Sequence, residues 1–418
     1  MAAAGDPAKI TGWGGGLAVL PPSALSTGDT MDGRTFDEKR TALPNTPLPM
    51  LEWTERREPR SAIWRSENDA PPPRRVVVAD DRLRADDAHS QAAEGTAFLW
   101  RGDFHGARNL LTAMTRRVDR KPLAEMDTPA QTFHRYRQRQ AQRSRLLGML
   151  LIPVDAGCEV PLRRAPEVRD ACLAAGCPAD EPFVLSLREL LGIIGAHEWR
   201  RNGIEIPALD ARIHPHYGVF APLRSDYLEL IAAEPLPPVG TAFDLGTGTG
   251  VLAALLARRG VGRVVATELD ERALACAAEN VEALGLSGRV EVTSADLYPE
   301  SRAGLVVCNP PWLPAKPSAA LQRAVYDPGS RMLRGFLTGL AAHLEPGGQG
   351  WLVLSDLAEL LGLRTRQELL DLIDAAGLAV AGRSDAAPRH PRSADTDDPL
   401  HEARAAETVS LWRLVARD

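Results

Sequence analysis

From residue 240 onward, short apolar runs alternate with segments of helical periodicity, and few architectures accommodate that alternation. Runs at 241–245, 263–268, 289–293, 304–308, 350–354, 377–382 and 407–414 read as strands, and 250–259, 270–284, 331–345 and 359–376 read as helices. Continuous apolar strands joined by helices imply an α/β fold: a doubly wound, seven-stranded, mostly parallel sheet with both faces covered. Within the second helix, Asp270 suits the N-cap. Leu274, Ala277, Val281 and Leu284 recur at helical spacing, and Gly285 stops the run. No helix separates the last two strands. Their link, 383–406, is long, polar and proline-containing, so antiparallel pairing is expected there.

The 418 residues leave room for more than this unit. Residues 1–80 hold ten prolines and seven glycines and lack a sustained apolar period, which predicts a loosely structured leader anchored by Trp53 and Trp64. Residues 84–210 predict a mainly helical N-terminal domain that recognises substrate or supports the fold. Leu110, Leu111, Met114 and Val118 recur at helical spacing, and 95–107 faintly resembles one helical hairpin of the tetratricopeptide kind. Residues 211–418 form the third unit. It opens with a bridge over 213–222 and a helix over 223–233 that the prolines at 235, 237 and 238 stop.

The net charge of −6 gives no global basic field to advertise a nucleic-acid partner. Locally, however, 101–145 carries eleven Lys/Arg against four Asp/Glu, densest at Arg135, Arg137, Arg139, Arg143 and Arg145. That run is either a phosphate-tracking surface, with Arg135 and Arg139 as substrate contacts, or a solvated helix face balanced by acidic neighbours. Five cysteines without a CxxC pair argue against a zinc site or disulfide framework and fit a reducing compartment. No membrane-length apolar run or secretory signal is legible, so a cytoplasmic protein without membrane partners is expected. His214 and His216 lack a third ligand at useful spacing, and no metal is expected.

Two strand ends carry the chemistry. Asp244-Leu245-Gly246-Thr247-Gly248-Thr249-Gly250 closes the first strand. Glycines there admit positive φ and close ligand approach, and the helix behind favours a negative or polar group. The spacing is G-x-G-x-G, with Val251 next, which counts against the G-x-G-x-x-G of a dinucleotide turn. Glu268 ends the second strand, where a carboxylate can accept both ribose hydroxyls. Asp296 follows the third strand, placed to accept from an adenine amino group. About sixty residues beyond the glycine turn, Asn309-Pro310-Pro311-Trp312 closes the fourth strand. An exocyclic amine or amide nitrogen is a poor nucleophile because its lone pair is delocalised. The Asn309 side-chain oxygen and the Pro310 carbonyl can each accept one N–H and aim that lone pair. The prolines fix the loop, and Trp312 offers a face for a planar group. Positioning and electrostatics can carry most of the rate without a strong base.

Residues 240–315 resemble the class I S-adenosylmethionine-dependent methyltransferases, and Asn309–Trp312 resembles the (Asn/Asp)-Pro-Pro-aromatic motif of amino-methylating enzymes. The resemblance implies S-adenosylmethionine as donor. It implies a glycine loop (Gly246, Thr247, Gly248, Gly250) around the methionine moiety, with Asp244 orienting the loop or the amino-acid end. Glu268, beside Leu269, would meet the ribose, Asp296 and Leu297 the adenine, and Asn309 would line the donor site. Tyr217-Gly218-Val219-Phe220 is similar to the segment closing over the donor in small-domain enzymes acting on ribosomal RNA. That likeness makes Phe220 a donor contact and Tyr217 and Arg224 substrate candidates. Leu313-Pro314 and Tyr326-Asp327-Pro328 are similar to a loop of release-factor glutamine methyltransferases, though this chain has Trp where those have Tyr.

These features predict methyl transfer onto a planar nitrogen, first of all an exocyclic base amine of ribosomal or transfer RNA. The alternatives are a protein glutamine, a small amine metabolite, and a non-catalytic cofactor-binding scaffold.

Overall fold

In the computed structural model the described residues are 48–417 except 121, 124, 125, 318, 319 and 390. Most of the predicted leader therefore lies outside the described residues.

The C-terminal sheet contains β9 (Thr241–Leu245), β10 (Arg263–Glu268), β11 (Val290–Ser294), β12 (Ala303–Cys308), β13 (Leu344–Ser355), β14 (Leu378–Ala386) and β15 (Val409–Ala416), in spatial order β11-β10-β9-β12-β13-β15-β14. All neighbours are parallel except β15, which runs antiparallel to both β13 and β14. This is the predicted doubly wound seven-stranded fold. The antiparallel pairing is as expected, but the link is not free of helix. It carries α12 (His401–Ala406), one short helix that packs beside α10 (Leu357–Leu360) instead of crossing a sheet face as a βαβ connection would. From β9 the chain builds outward through β10 and β11, then crosses to β12 on the other side of β9. The strand order thus reverses between β9 and β12, and a crevice opens at their carboxyl ends. Leu245 stands opposite Cys308, so the glycine turn and the Asn-Pro-Pro-Trp loop leave adjacent strands at the same level.

Helices cover both faces. Every residue of α7 (Val251–Arg258) from Val251 to Ala257 is buried. It is apolar all round because it lies between the sheet and a second layer of Ile206, Leu209, Tyr227 and Ile231. Asp270 caps α8 (Glu271–Ala283) by accepting from the Arg272 and Ala273 N–H groups at 3.0 and 3.2 Å. The expected helix over 359–376 is two, α10 (Leu357–Leu360) and α11 (Arg366–Ala375). Gly362 at φ +67° breaks the first, and a Thr365–Glu368 capping box starts the second.

The N-terminal half corrects two expectations. Residues 50–79 are three strands rather than loose chain: β1 (Met50–Glu55), β2 (Glu58–Trp64) and β3 (Arg75–Ala79). With β4 (Thr96–Trp100), β5 (Leu150–Val154) and β6 (Phe183–Ser186) they build a six-stranded sheet in the order β1-β2-β6-β5-β4-β3. Within residues 84–210 helix outweighs strand, as expected, in α1 (Ala85–Ala93), α2 (Phe104–Asp119), α3 (Pro129–Leu147), α4 (Arg169–Ala174) and α5 (Leu187–Asn202), but these helices belong with this sheet, so the half is a second α/β layer. The tetratricopeptide-like stretch contains β4, all five residues of which are buried. So short an apolar run carries no period that separates strand from helix, and parallel pairing with β3 and β5 decides it.

The two halves meet through α3. Phe133 and Tyr136 pack with Leu313, Leu357, Leu361 and Leu400, seating this helix on the loop that follows Asn309–Trp312. Glu67, just past β2, pairs with Arg272 of α8 at 2.5 Å.

Candidate active site

A cleft of about 2160 Å³ runs between the halves. One wall holds the glycine turn from Gly246 to Thr249, Glu268 to Asp270, Phe220, and Asn309 to Leu313. The other holds faces of α2, α3 and α5.

The glycine turn is held from beneath. Asp244, 1% exposed, accepts from Thr247 Oγ1 at 2.6 Å and the Ala253 N–H at 3.0 Å through one oxygen. Burial pushes its pKa up to about 6, against the lowering effect of these two donors. The Gly246 and Thr247 N–H groups both donate to the Thr267 carbonyl at 2.9 Å. Gly246, Gly248 and Gly250 all take positive φ. A side chain at Gly248 would meet open space, so the outer face of the turn is free for a ligand.

Glu268 stands at the end of β10, half-buried. Its carboxylate accepts from the N–H groups of Gly248 (3.2 Å), Leu269 (2.8 Å) and Asp270 (3.1 Å). These bonds fix it facing the cleft with acceptor capacity remaining. Beside it Leu269 is 53% exposed and lines the cleft, offering an apolar surface that a planar ring can cover.

Asn309 and Trp312 are locked together. The indole Nε1–H donates to Asn309 Oδ1 at 2.9 Å, leaving the second lone pair of that oxygen for another N–H. The Arg224 guanidinium lies 4.8 Å from the Trp312 ring centre, so one face is taken. Arg224 is in turn held by Asp226 and Glu407, two fully buried carboxylates, at 2.6 and 3.1 Å. It pins the Trp and is not free for substrate. The loop beyond is closed by a Leu313–Tyr326 bridge and by Asp327, whose carboxylate accepts from the Met332 and Leu333 N–H groups at the start of α9 (Arg331–His343).

Other candidates are sorted by the fold. Phe220 and Tyr217 line the cleft. Tyr217 lies under the Arg65 guanidinium, 5.6 Å from its ring centre, and burial pushes its pKa up to about 12. Asp296 is not on the cleft wall. It pairs with Arg331 at 2.7 Å, and Leu297, at φ +72°, packs over Gly335 of α9. Arg135 and Arg139 are also off the cleft wall, which α3 lines with Arg137, Gln140, Ala141, Arg143, Ser144 and Arg145. Arg137 was not singled out from the sequence as a contact, yet it stacks on Tyr326 at 4.2 Å and donates to the Lys316 carbonyl. His214 bonds the Arg200 carbonyl and His216 the Glu279 carboxylate, both at 2.7 Å. Among the described residues no group of three His, Cys, Asp or Glu is gathered as metal ligands.

The residues fit the donor that the sequence implies. Asp244 Oδ1 is buried and has no hydrogen-bond partner, the state of a carboxylate awaiting an N–H or cationic group at the turn above it. Gly248 leaves room, Glu268 offers acceptors for hydroxyls, and Leu269 offers an apolar plate. Asp296, off the cleft wall and paired with Arg331, is the one expected donor contact that the fold does not bring to the other residues.

Residues 210–360 match the family described as methyltransferase small domain. The chain is 39% identical over 165 residues to a release factor glutamine methyltransferase of Cereibacter sphaeroides, covering 36% of this chain and 56% of that protein. It is 37% identical over 151 residues to a ribosomal protein L11 methyltransferase of Pelotomaculum thermopropionicum, covering 35% and 41%. It is 31% identical over 144 residues to a tRNA1(Val) (adenine(37)-N6)-methyltransferase of Pedobacter heparinus, covering 33% and 58%. The chain thus spans about half the length of the curated relatives it matches. With the sheet order and the two strand-end loops, these matches place residues 210–360 in the methyltransferase small-domain family, whose methyl donor is S-adenosylmethionine.

Proposed function

We propose that this protein transfers a methyl group to a planar amino or amide nitrogen, with an exocyclic base amine of RNA as the acceptor. The observation that carries the proposal is the juxtaposition of two loops on neighbouring strands: the glycine turn after β9 and Asn309–Trp312 after β12, opening into one cleft. Bound S-adenosylmethionine would supply an electrophilic sulfonium methyl. Thr247, Gly248, Glu268 and Leu269 would hold it, with Asp244 beneath. Asn309 Oδ1, kept in place by the Trp312 indole, accepts one N–H of the acceptor, and the Pro310 carbonyl accepts the other. Two acceptors on one amine draw its lone pair out of conjugation and aim it across the crevice. The surplus proton leaves to water through the open cleft.

RNA is favoured over a small amine because the cleft exceeds the few hundred to 1,000 Å³ typical of small-ligand pockets. Its walls also carry thirteen arginines against six carboxylates. A protein glutamine is the second reading, supported by the release-factor relatives and by the Leu313–Tyr326 loop. Five free, buried cysteines accord with a reducing compartment such as the cytoplasm. Among the described residues no helix is long and apolar enough to cross a membrane.

The test is transfer of a tritiated methyl group to extracts of a deletion strain, separated into RNA, DNA, protein and small molecules. Label in RNA that ribonuclease removes is expected. Label confined to nuclease-resistant protein would replace RNA by glutamine. A scaffold would tolerate Asn309→Ala without losing its cellular effect.

A further inference from the structure

We propose that the cleft wall formed by α3 and α5 contains a phosphate-binding site, built by Arg143, Arg188 and Ser144, that holds a backbone phosphate of the acceptor RNA. The proposal rests on reading the cleft as the acceptor's seat, but its first measurement does not.

Arg143 is rooted in the protein. Its side chain is only 7% exposed, and its Nε and one Nη pair with the two oxygens of Asp119 at 2.8 and 3.0 Å. That bidentate pair uses one edge of the guanidinium. The other terminal nitrogen, Nη1, is buried and has no hydrogen-bond partner. A buried cationic N–H without an acceptor is costly, and native proteins seldom leave one unfilled without a use for it.

Arg188 reaches the same place from α5. Its Nη1 donates to Ser144 Oγ, next in sequence to Arg143, at 2.7 Å. Among the described residues it has no carboxylate partner, and the acid beside it, Glu189, is committed to Arg65 and to the Glu67 N–H. Burial, and next the Arg143 charge, bring its pKa down to about 10, so the two guanidiniums are close enough to repel. Arg143, Ser144, Arg145 and Arg188 all line the cleft. Two like charges meeting in a partly desolvated wall, one with an empty N–H and the other with no acid, make a site for an anion with several acceptor oxygens. A phosphate has that chemistry.

Position selects the source. Arg137, stacked on Tyr326 beside the Asn309–Trp312 loop, lies six residues before Arg143 on the same helix. At 1.5 Å per residue the separation is about 9 Å along α3. An acceptor base at Asn309 therefore has its own strand within reach of Arg143 and Arg188. Arg108 and Arg116 of α2 and Arg145 of α3 line the same cleft without carboxylate partners among the described residues. They continue the positive wall away from the reacting centre.

The experiment compares the full-length protein with Arg188→Ala and Arg188→Lys. Inorganic phosphate binding is titrated calorimetrically, then binding of a single-stranded oligouridylate from low to high salt. Affinity for S-adenosylmethionine serves as the control for folding. We expect Arg188→Ala to bind inorganic phosphate at least tenfold more weakly with unchanged donor affinity. Its slope of log affinity against log salt for the oligouridylate should fall by about 0.7, one single-strand phosphate contact. Arg188→Lys should keep the slope while losing part of the phosphate affinity, since it retains the charge but not the fork. Phosphate affinity equal in Arg188→Ala and wild type would overturn the site. Lost phosphate binding with an unchanged oligouridylate slope would overturn RNA as the source. Lost phosphate binding and slope in a protein whose tritiated label enters only protein would leave the anion site standing and refute the proposed acceptor.

Discussion

Asn309 has two duties in this structure, and substituting it should separate them. Its Oδ1 accepts the Trp312 indole N–H at 2.9 Å and is proposed to accept an N–H of the acceptor with its other lone pair. Asn309→Ala removes both bonds. The indole N–H is half-buried, so water can replace part of what is lost, and the expected cost is about 1 kcal/mol. In a domain of this size that lowers Tm by about 2–4 °C. The acceptor bond strengthens as positive charge develops on nitrogen, so it belongs with hydrogen bonds to charged groups, at about 1.5–3 kcal/mol. That range corresponds to roughly 10–150-fold in rate. The assay is single-turnover methyl transfer at saturating acceptor, alongside donor affinity and thermal melts. Asn309→Ala should lose about two orders of magnitude in rate with donor affinity nearly kept. Trp312→Phe removes the indole donor together with ring area that packs against the core and under Arg224, so it should lose more stability than Asn309→Ala but little of the rate. The double mutant should melt close to Trp312→Phe alone, with a coupling of about 1 kcal/mol. Asn309→Asp keeps an acceptor for both partners and should stay within about tenfold of wild type. A turnover rate for Asn309→Ala within threefold of wild type would refute the role of Asn309 in methyl transfer.

Asp244 has a folded pKa near 6, above its ordinary 3.8, so the folded state binds the proton more tightly than the unfolded state. Stability from this group is present at low pH and is lost as pH rises from about 4 through 6, at most about 3 kcal/mol. Donor affinity should rise over the same window as the carboxylate ionises. In Asp244→Asn both pH dependences should flatten, and an unchanged profile would contradict the assignment. Arg224→Ala withdraws the cation shared by Asp226 and Glu407, both fully buried, and should destabilise by about 3–5 kcal/mol in a urea melt. Gly250→Ala should cost more stability than Gly248→Ala. Both positions have positive φ, but a Cβ at Gly250 meets the backbone of Ala277 at 3.3 Å, whereas at Gly248 it meets nothing within 4 Å.

The catalytic half was legible because its signals are local. Parallel strands buried on both faces appear as unbroken apolar runs, as in Leu305-Val306-Val307-Cys308. The chemistry sits in the turns that end them. Much of the N-terminal half was not legible for equally specific reasons. The β1–β2 hairpin turns at Arg56-Arg57, both at positive φ (53° and 69°), where Asn-Gly or Asp-Gly would have announced the turn. β2 exposes its first four residues and buries its last three, so no period of two shows. The prolines at 71–73 precede an ordered strand. The basic run behaved as neither simple reading predicted. Arg143 turns inward to Asp119, Arg137 stacks on Tyr326, Arg135 and Arg139 face away from the cleft, and Arg188, which joins the run in space, stood alone in the sequence beside Glu189.

What the sequence determined by itself is the methyltransferase unit: its strand and helix alternation, the glycine turn, Glu268 as the second strand end, and Asn309–Trp312. Each depends on neighbours within a few residues, where φ, capping and apolar periodicity act directly. The tertiary structure alone decided what those residues face. It covered one side of Trp312 with Arg224, drew Asp296 to Arg331, and set α3 and α5 across the crevice as an arginine-lined wall. Those outcomes depend on contacts between residues far apart in the chain, whose loop-closure and desolvation energies leave no trace in local composition.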